Sequence, residues 1–463
     1  MTAPGNTPSP GAEPAAAPAG GRRETFASRA GSLMTIVGVS IGLGKVWRFP
    51  YMAGKFGGAA FVLFYVLVTV LIGLPALMAE FALGRHTRRG PVGAFEIGGF
   101  PFGRQVGWLL FVVVTAATAY YTAVIGWVLY HAIGQLAIGL HIPLDASAIL
   151  PPDHGFAPTS FLLQLACTGA VVLACAVVLL KGVRSGIERA SKRLMPVLFG
   201  SIVLLMIRAL TLPGAGEGVR WYILKFQWSD LTANVMMASL GQAIFSLSLG
   251  GTFMVVYGSY LDAKTNVATP AIWTVVGDLG ASLLAGFAVI PAVFAFGLQP
   301  KSGPALIFTT LPKVFAAIPA GWLFGFIFFG GLVCAGYLSD IGGFEALIAG
   351  LTDNTRLSRK GAVWAICAAV FLFSIPPSVN NAIFVPWDLT FGSGMQTLGS
   401  LLAVITIAWC VNRSTALREL GNNQDRSVPK WLFYWIRFGI PAAIVSVGVY
   451  WLLSSVVGAV KTV

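Results

Sequence analysis

Residues able to do chemistry are sparse in this chain, so their placement carries most of the information. The four histidines, His86, His131, His141 and His154, fall far apart, and the five cysteines, Cys167, Cys175, Cys334, Cys367 and Cys410, lie in apolar stretches without metal-ligand spacing. No acid, base and nucleophile gather, so an enzyme is not expected; the cysteines read as buried free thiols and His131 as a structural hydrogen-bonding group. Two patches of glycine and hydroxyl residues stand out instead, Gly38-Val39-Ser40-Ile41-Gly42-Leu43-Gly44 and Ser246-Leu247-Ser248-Leu249-Gly250-Gly251, each inside an apolar segment. Glycine weakens a helix by about 1 kcal/mol, and unwound backbone exposes N–H and C=O groups that lipid cannot satisfy but a ligand or ion can. Close helix packing is the other use of such glycines. The patches fall at matching places in the two halves of the chain and carry hydroxyls, which favours broken helices around a site at the membrane midplane.

The elements that must position these patches are membrane helices. Of the 463 residues 56% are hydrophobic and 10% charged, far below the charge of a soluble domain, and runs long enough to cross a bilayer recur along the chain. The pattern predicts an all-α membrane protein with about eleven transmembrane helices, near 31–55, 58–84, 104–138, 159–180, 192–212, 234–260, 267–298, 318–350, 360–376, 386–412 and 431–457. Residues 1–21 read as a disordered tail and 22–463 as one transporter domain, with repeat one about 31–212, repeat two about 234–412 and an extra helix about 431–457. The formal charge of +13 is spread between apolar runs and builds no single face, so nucleic acid is not an expected partner. Arg22, Arg23 and Arg29, then Arg85, Arg88, Arg89 and Arg104, then Lys181, Arg184, Arg189, Lys192 and Arg193 mark alternate connections, whereas 139–158 and 377–385 hold no Lys or Arg. The positive-inside rule then puts the N-terminus in the cytoplasm of a multi-pass inner-membrane protein, and an odd helix count puts the C-terminus outside.

Gly42-Leu43-Gly44-Lys45-Val46-Trp47-Arg48-Phe49-Pro50-Tyr51 resembles the signature of the neurotransmitter:sodium symporter family, in its bacterial amino-acid transporter branch, with Lys45 where that signature has Asn. Gly57-Gly58, Pro75 through Arg85, Gly186-Ile187-Glu188-Arg189-Ala190-Ser191-Lys192 with Pro196, and Gly241 through Gly250 agree in order. The resemblance implies the LeuT-like 5+5 inverted repeat, with helices 1 and 6 broken, and a substrate pocket lined by Ser40, Gly42, Gly44, Lys45, Tyr121, Phe245, Ser246, Ser248, Gly251, Ser339 and Gly343. Free amides and the Tyr121 hydroxyl would suit a carboxylate. Gly42 stands where monoamine carriers of the family place Asp, which favours amino acids, and Gly251 and Gly343 suggest room for a large or aromatic side chain. The implied gates are Arg48 with Asp388 on the outer side, and Arg23 with Asp353, flanked by Phe26 and Tyr260, on the inner side. A snorkelling anchor is the plainer reading of Arg48, and a topological charge that of Arg23.

The departures from the family pattern bear on mechanism. Lys45 takes the place of an Asn that holds the first sodium ion, and Asp278 falls at a matching acidic position on helix 7. Either charge alone would cost several kcal/mol in the bilayer interior, so the expectation is a pair in which the ammonium replaces the ion and meets the substrate carboxylate. The second sodium site, Gly38, Ile41, Ala335, Leu338 and Ser339, has Leu338 where relatives offer an oxygen ligand, which implies at most one weakly held Na+, with Asp340 next to it. Tyr65, Gln242, Ser246 and Ser282 form a chloride-like set, but Asp278 beside them supplies fixed negative charge and no chloride requirement is expected. No other cofactor is implied. The expected function is import of an amino acid or similar zwitterion by alternating access and ion-coupled symport. Proton coupling, uncoupled exchange and a transport-dead sensor are the alternatives. The partners are that small substrate and the lipid bilayer, with no obligate protein partner evident.

Overall fold

The computed structural model describes residues 28–262, 265–298, 308, 310–421 and 428–461. The expected tail, Arg23 and Phe26 lie outside the described residues. The described residues are helical, joined by turns and loops. Nine of the helices are long and apolar enough to cross a membrane, and a bent pair makes a tenth span. In chain order the bent pair is α1 (Ala30–Ser40 with Gly44–Phe56), followed by α2 (Ala59–Thr87), α3 (Gly103–Gly139), α4 (Pro158–Leu179) and α5 (Val183–Leu210). Next in the chain lies α6, which is not among those ten spans and consists of two shorter helices, Ala233–Ser246 and Phe253–Ser259. Then come α7 (Ala268–Ala295), α8 (Gly321–Asn354), α9 (Arg359–Ser378), α10 (Asn381–Cys410) and α11 (Lys430–Tyr450). Short helices that the apolar pattern does not mark, Pro91–Ile97, Leu311–Ala316 and Arg413–Leu420, lie in the connections.

Local chemistry sets several helix starts. Thr232 accepts from the Val235 amide (3.4 Å), Ser358 from Gly361 (3.2 Å) and Asn380 from Ile383 (3.1 Å), each cap worth about 1 kcal/mol. Pro158 opens α4, where its missing N–H costs nothing. The lipid side is apolar, with Leu63, Leu67, Leu162, Leu173, Trp364 and Leu372 exposed on the outer faces, as hydrocarbon surroundings require.

Polar side chains turn inward. Lys45, Glu80, Asp278, Asp340 and Glu345 are all buried. The α1 helix packs against α5, α7 and α8, and α3 runs along α8. The second half of α2 meets the second half of α6 backbone to backbone. A Cβ at Gly84 would lie 1.8 Å from the Val255 carbonyl oxygen, and one at Gly258 would lie 2.6 Å from that of Phe81. Only glycine permits such an approach.

Candidate functional site

The α1 axis bends by 50° at its break, and the strands of chemistry meet there. Helical bonding lapses after Ser40, and the freed groups find tertiary partners: the Leu43 amide donates to the Tyr121 hydroxyl (2.8 Å), and Gln242 Nε2 donates to the Gly44 carbonyl (3.1 Å). The next turn, Gly44–Arg48, is a wide π turn, a form common at functional positions. It carries Lys45 inward, 1% exposed. The Lys45 ammonium donates to the Ser40 carbonyl, to the Ser246 carbonyl and to Asp278 Oδ1, the last at 3.0 Å. It therefore ties together both broken helices and α7. An ammonium has three N–H bonds, and these partners take all of them. No N–H of Lys45 is therefore left for the direct contact with a substrate carboxylate that the sequence suggests.

Asp278 is as fully engaged as its partner. Ser246 Oγ donates to Oδ1 (2.6 Å) and the Tyr65 hydroxyl to Oδ2 (2.6 Å), with Ser282 Oγ 3.3 Å from Tyr65. With the Lys45 ammonium, three donors surround this one carboxylate. Of the chloride-like set, Tyr65, Ser246 and Ser282 thus gather around Asp278, whereas Gln242 turns to Gly44.

The break in α6 has a backbone cause. Ser248, Gly250 and Thr252 all have positive φ (55°, 82° and 58°), a region that right-handed helices cannot use. The freed Gly250 amide donates to Glu80 Oε1 (2.8 Å) from α2. Sequence reasoning did not single out Glu80; its signal was a lone acid inside the apolar run of α2.

Between the two breaks lies a small cavity. Ser40, Gly42, Gly44, Lys45, Tyr121, Phe245, Ser246, Ser248, Ser339 and Gly343 line it, and Ala117, Thr118, Tyr120, Phe253, Asp340 and Gln396 complete the wall. Gly251 stands outside that lining. A Cβ there would lie 2.7 Å from the Phe253 ring, so Phe253 fills much of the space that the glycine was expected to leave open. Tyr121 and Ser339 crowd Gly42: a Cβ would sit 2.4 Å from the Tyr121 oxygen and 2.9 Å from Ser339 Oγ.

Phe245 also borders a second cavity, shared with Trp47, Arg48, Tyr51 and Asp388. The Arg48 guanidinium lies 4.2 Å over the Phe245 ring, a cation–π contact that holds the partition in place. Arg48 and Asp388 face this cavity together, and no ion pair within 4.0 Å joins them among the described residues.

On the other side of the molecule Asp353 accepts from the Gly90 amide (2.6 Å), and Tyr260 donates to Glu345 (2.7 Å), which Arg359 pairs with at 2.7 Å. The candidate second-ion residues come from α1 and α8. Ser339 Oγ faces the α1 break, while a Leu338 methyl lies 3.6 Å from where a Gly38 Cβ would be, so one wall of that set is hydrocarbon. Gly186 lies in a π turn, Val183–Glu188, and Pro196 inside the helix that follows. Asp340 points away from this set, toward Thr122 on α3.

Residues 23–142 and 160–458 match the sequence profile of the sodium:neurotransmitter symporter family. An uncharacterized sodium-dependent transporter of Bacillus subtilis, YhdH, is 34% identical over 444 residues, covering 91% of this chain and 96% of its own. The sodium-dependent dopamine transporter of Bos taurus is 28% identical over 442 residues, covering 84% of this chain and 63% of its own. Among solved structures, that of MhsT in complex with L-phenylalanine superposes with a TM-score of 0.80 at 32% identity, covering 92% of this chain and 99% of that one.

Proposed function

This chain belongs to the sodium:neurotransmitter symporter family, and on that premise we propose that it imports an amino acid through its central cavity by alternating access, with Lys45 standing permanently in the place of one coupling ion. It is a multi-pass membrane transporter, not an enzyme, and its fold is the LeuT-like one with helices 1 and 6 broken. The observation that carries the proposal is the Lys45 ammonium itself, held by carbonyls of both broken helices and by Asp278. These are oxygen donors of the kind that hold a sodium ion, and a side-chain cation already neutralises them. A metal ion does not fit beside it without losing ligands and meeting a like charge.

MhsT, solved with L-phenylalanine, supports an amino acid as cargo. The carboxylate would lie in the positive field of Lys45 and near the Tyr121 hydroxyl, with Phe245 closing over it under Arg48. Ser339 and the carbonyls of Gly38, Ile41 and Ala335 would bind a single co-transported sodium, weakly, because Leu338 contributes a methyl group in place of an oxygen. Asp278 supplies the negative charge that would otherwise call for chloride. Arg48 and Asp388, brought together as the outer cavity collapses, would close the outer side, with Asp353 and Tyr260 on the cytoplasmic side. Residues 22–463 would form one transporter domain in the inner membrane, N-terminus in the cytoplasm and C-terminus outside.

The test is uptake of labelled amino acids into proteoliposomes with sodium and proton gradients imposed separately. Sodium-driven uptake with one ion per substrate is the expected result. A requirement for two sodium ions per substrate would refute the role given to Lys45.

A further inference from the structure

Asp340 is the one acid of the central cavity that the mechanism above leaves unused. It is 1% exposed and lines the cavity from α8. Its carboxylate oxygens both lie 3.0 Å from Thr122 Oγ1, and Oδ2 lies 3.8 Å from the Cys175 sulfur. Thr122 Oγ1 is also 2.7 Å from the Thr118 carbonyl. A hydroxyl has one proton to give, and if it goes to the shorter bond the carboxylate receives only a weak thiol donor. No basic side chain pairs with Asp340 within 4.0 Å among the described residues. The titratable groups around it are Cys175, Cys367, Tyr121 and Tyr337, which bring no positive charge.

A second polar group beside it is also unsatisfied. Thr118 is 4% exposed, lines the same cavity and has a hydroxyl without a hydrogen-bond partner. It faces Gly343, where an added Cβ would lie 2.9 Å from the hydroxyl oxygen. Buried polar groups without partners are costly, and a carboxylate without a counter-charge in a bilayer is costlier. Lys45 and Asp278 already cancel each other, so an ionised Asp340 would leave the cavity short of one positive charge, between α3 and α8.

We propose that Thr118 and Asp340 form a side-chain subsite for a cationic, hydrogen-bond-donating group, and that the preferred cargo is a basic amino acid with an amine or guanidine terminus. The inference rests on the reading of the cavity as an amino-acid site. The α-carboxylate takes the Lys45 end, and the side chain reaches across to Asp340, where its ammonium or guanidinium supplies the missing charge and its N–H groups meet both oxygens. Phe253 narrows the cavity beside Gly251 and Gly343, coming within 3.5 Å of where a Gly343 Cβ would be.

The experiment compares binding of L-lysine, L-ornithine and L-arginine with that of L-norleucine and L-phenylalanine to the purified full chain in nanodiscs. The expected result is a preference of roughly tenfold or more for the basic ligands, as a site with unpaired polar groups discriminates against a ligand that leaves them so. Asp340→Asn collapses the ratio of basic to neutral affinity, and Thr118→Val lowers it several-fold without touching the charge. The two variants read the same quantity, so poor folding of one does not remove the test. Tight binding of norleucine or phenylalanine with no basic preference overturns this proposal while leaving the amino-acid reading intact. Equal loss of both ligand classes in Asp340→Asn overturns it too, by assigning Asp340 to the α-ammonium or to structure. So does uptake of a neutral amino acid driven by a proton gradient and abolished by Asp340→Asn, which would make the carboxylate a proton carrier. Failure of every amino acid to bind overturns both this proposal and the reading beneath it.

Discussion

Replacing Lys45 by methionine keeps a side chain about as long as the alkyl stem and removes the ammonium with its charge, and the structure sets the consequence. Three acceptors lose their donor: the carbonyls of Ser40 and Ser246, and Asp278, which is 0% exposed. Tyr65 and Ser246 still donate to that carboxylate, but no cation remains near it. Breaking one partner of a buried pair costs about 3–5 kcal/mol, a large share of the roughly 5–15 kcal/mol that holds a typical domain folded. Lys45→Met should therefore melt several degrees below the native protein in sodium-free buffer. Removing both charges, as Lys45→Met with Asp278→Asn, should recover much of the loss, because groups in direct contact do not add. Lys45→Asn should behave differently from either. It reopens a nest of oxygens, so sodium at about a hundredfold excess over its dissociation constant would return about 2.7 kcal/mol. Melting curves of detergent-purified protein in sodium chloride against choline chloride read all four proteins. The reasoning fails if Lys45→Met is as stable as the native chain, if the double variant is simply additive, or if sodium stabilises native and Lys45→Asn proteins equally.

Gly42→Asp should lower amino-acid affinity by roughly tenfold or more, since displaced groups at a positioned site carry penalties of that order; its Cβ collides with Tyr121 and Ser339, and binding titration measures the loss. Tyr121→Phe strands the Leu43 amide that its hydroxyl accepts, which should cost about 1–3 kcal/mol, seen as a lower melting temperature and weaker binding together. Glu80→Gln keeps an oxygen for the Gly250 amide and should be nearly silent in stability, whereas Glu80→Leu should lose about 1–3 kcal/mol. Arg48→Lys removes a planar group from the face of Phe245; substrate release toward the outer cavity should become faster, by a few-fold for a contact worth about 0.5–1 kcal/mol, in a dissociation assay with preloaded protein.

The membrane spans were legible because hydrocarbon thickness imposes a long apolar period that no tertiary contact alters. The breaks in α1 and α6 were legible for a related reason, that glycine and hydroxyl residues in such a run are costly without a purpose. Lys45 and Asp278 belong to the same class, as two opposite charges in one apolar interior have few places to go. Positions decided by side-chain direction were hidden. Nothing in the sequence says that Phe253 fills the space beside Gly251, that Glu80 reaches the Gly250 amide, or that Arg48 stacks on Phe245 while standing apart from Asp388. Those outcomes depend on rotamers fixed by neighbours from distant parts of the chain. The meeting of Thr118 with Asp340 in one cavity depends on α3 lying along α8, which sequence spacing does not give.

The contact of Gly84 with Val255 and of Gly258 with Phe81 has a mechanical consequence. Where two backbones touch without intervening side chains there is no compliant layer to shear, so these halves of α2 and α6 can turn only as a single lever. Any reorientation of one of these half-helices would carry the other with it, and the adjustment would fall to joints where softer side chains lie between the helices.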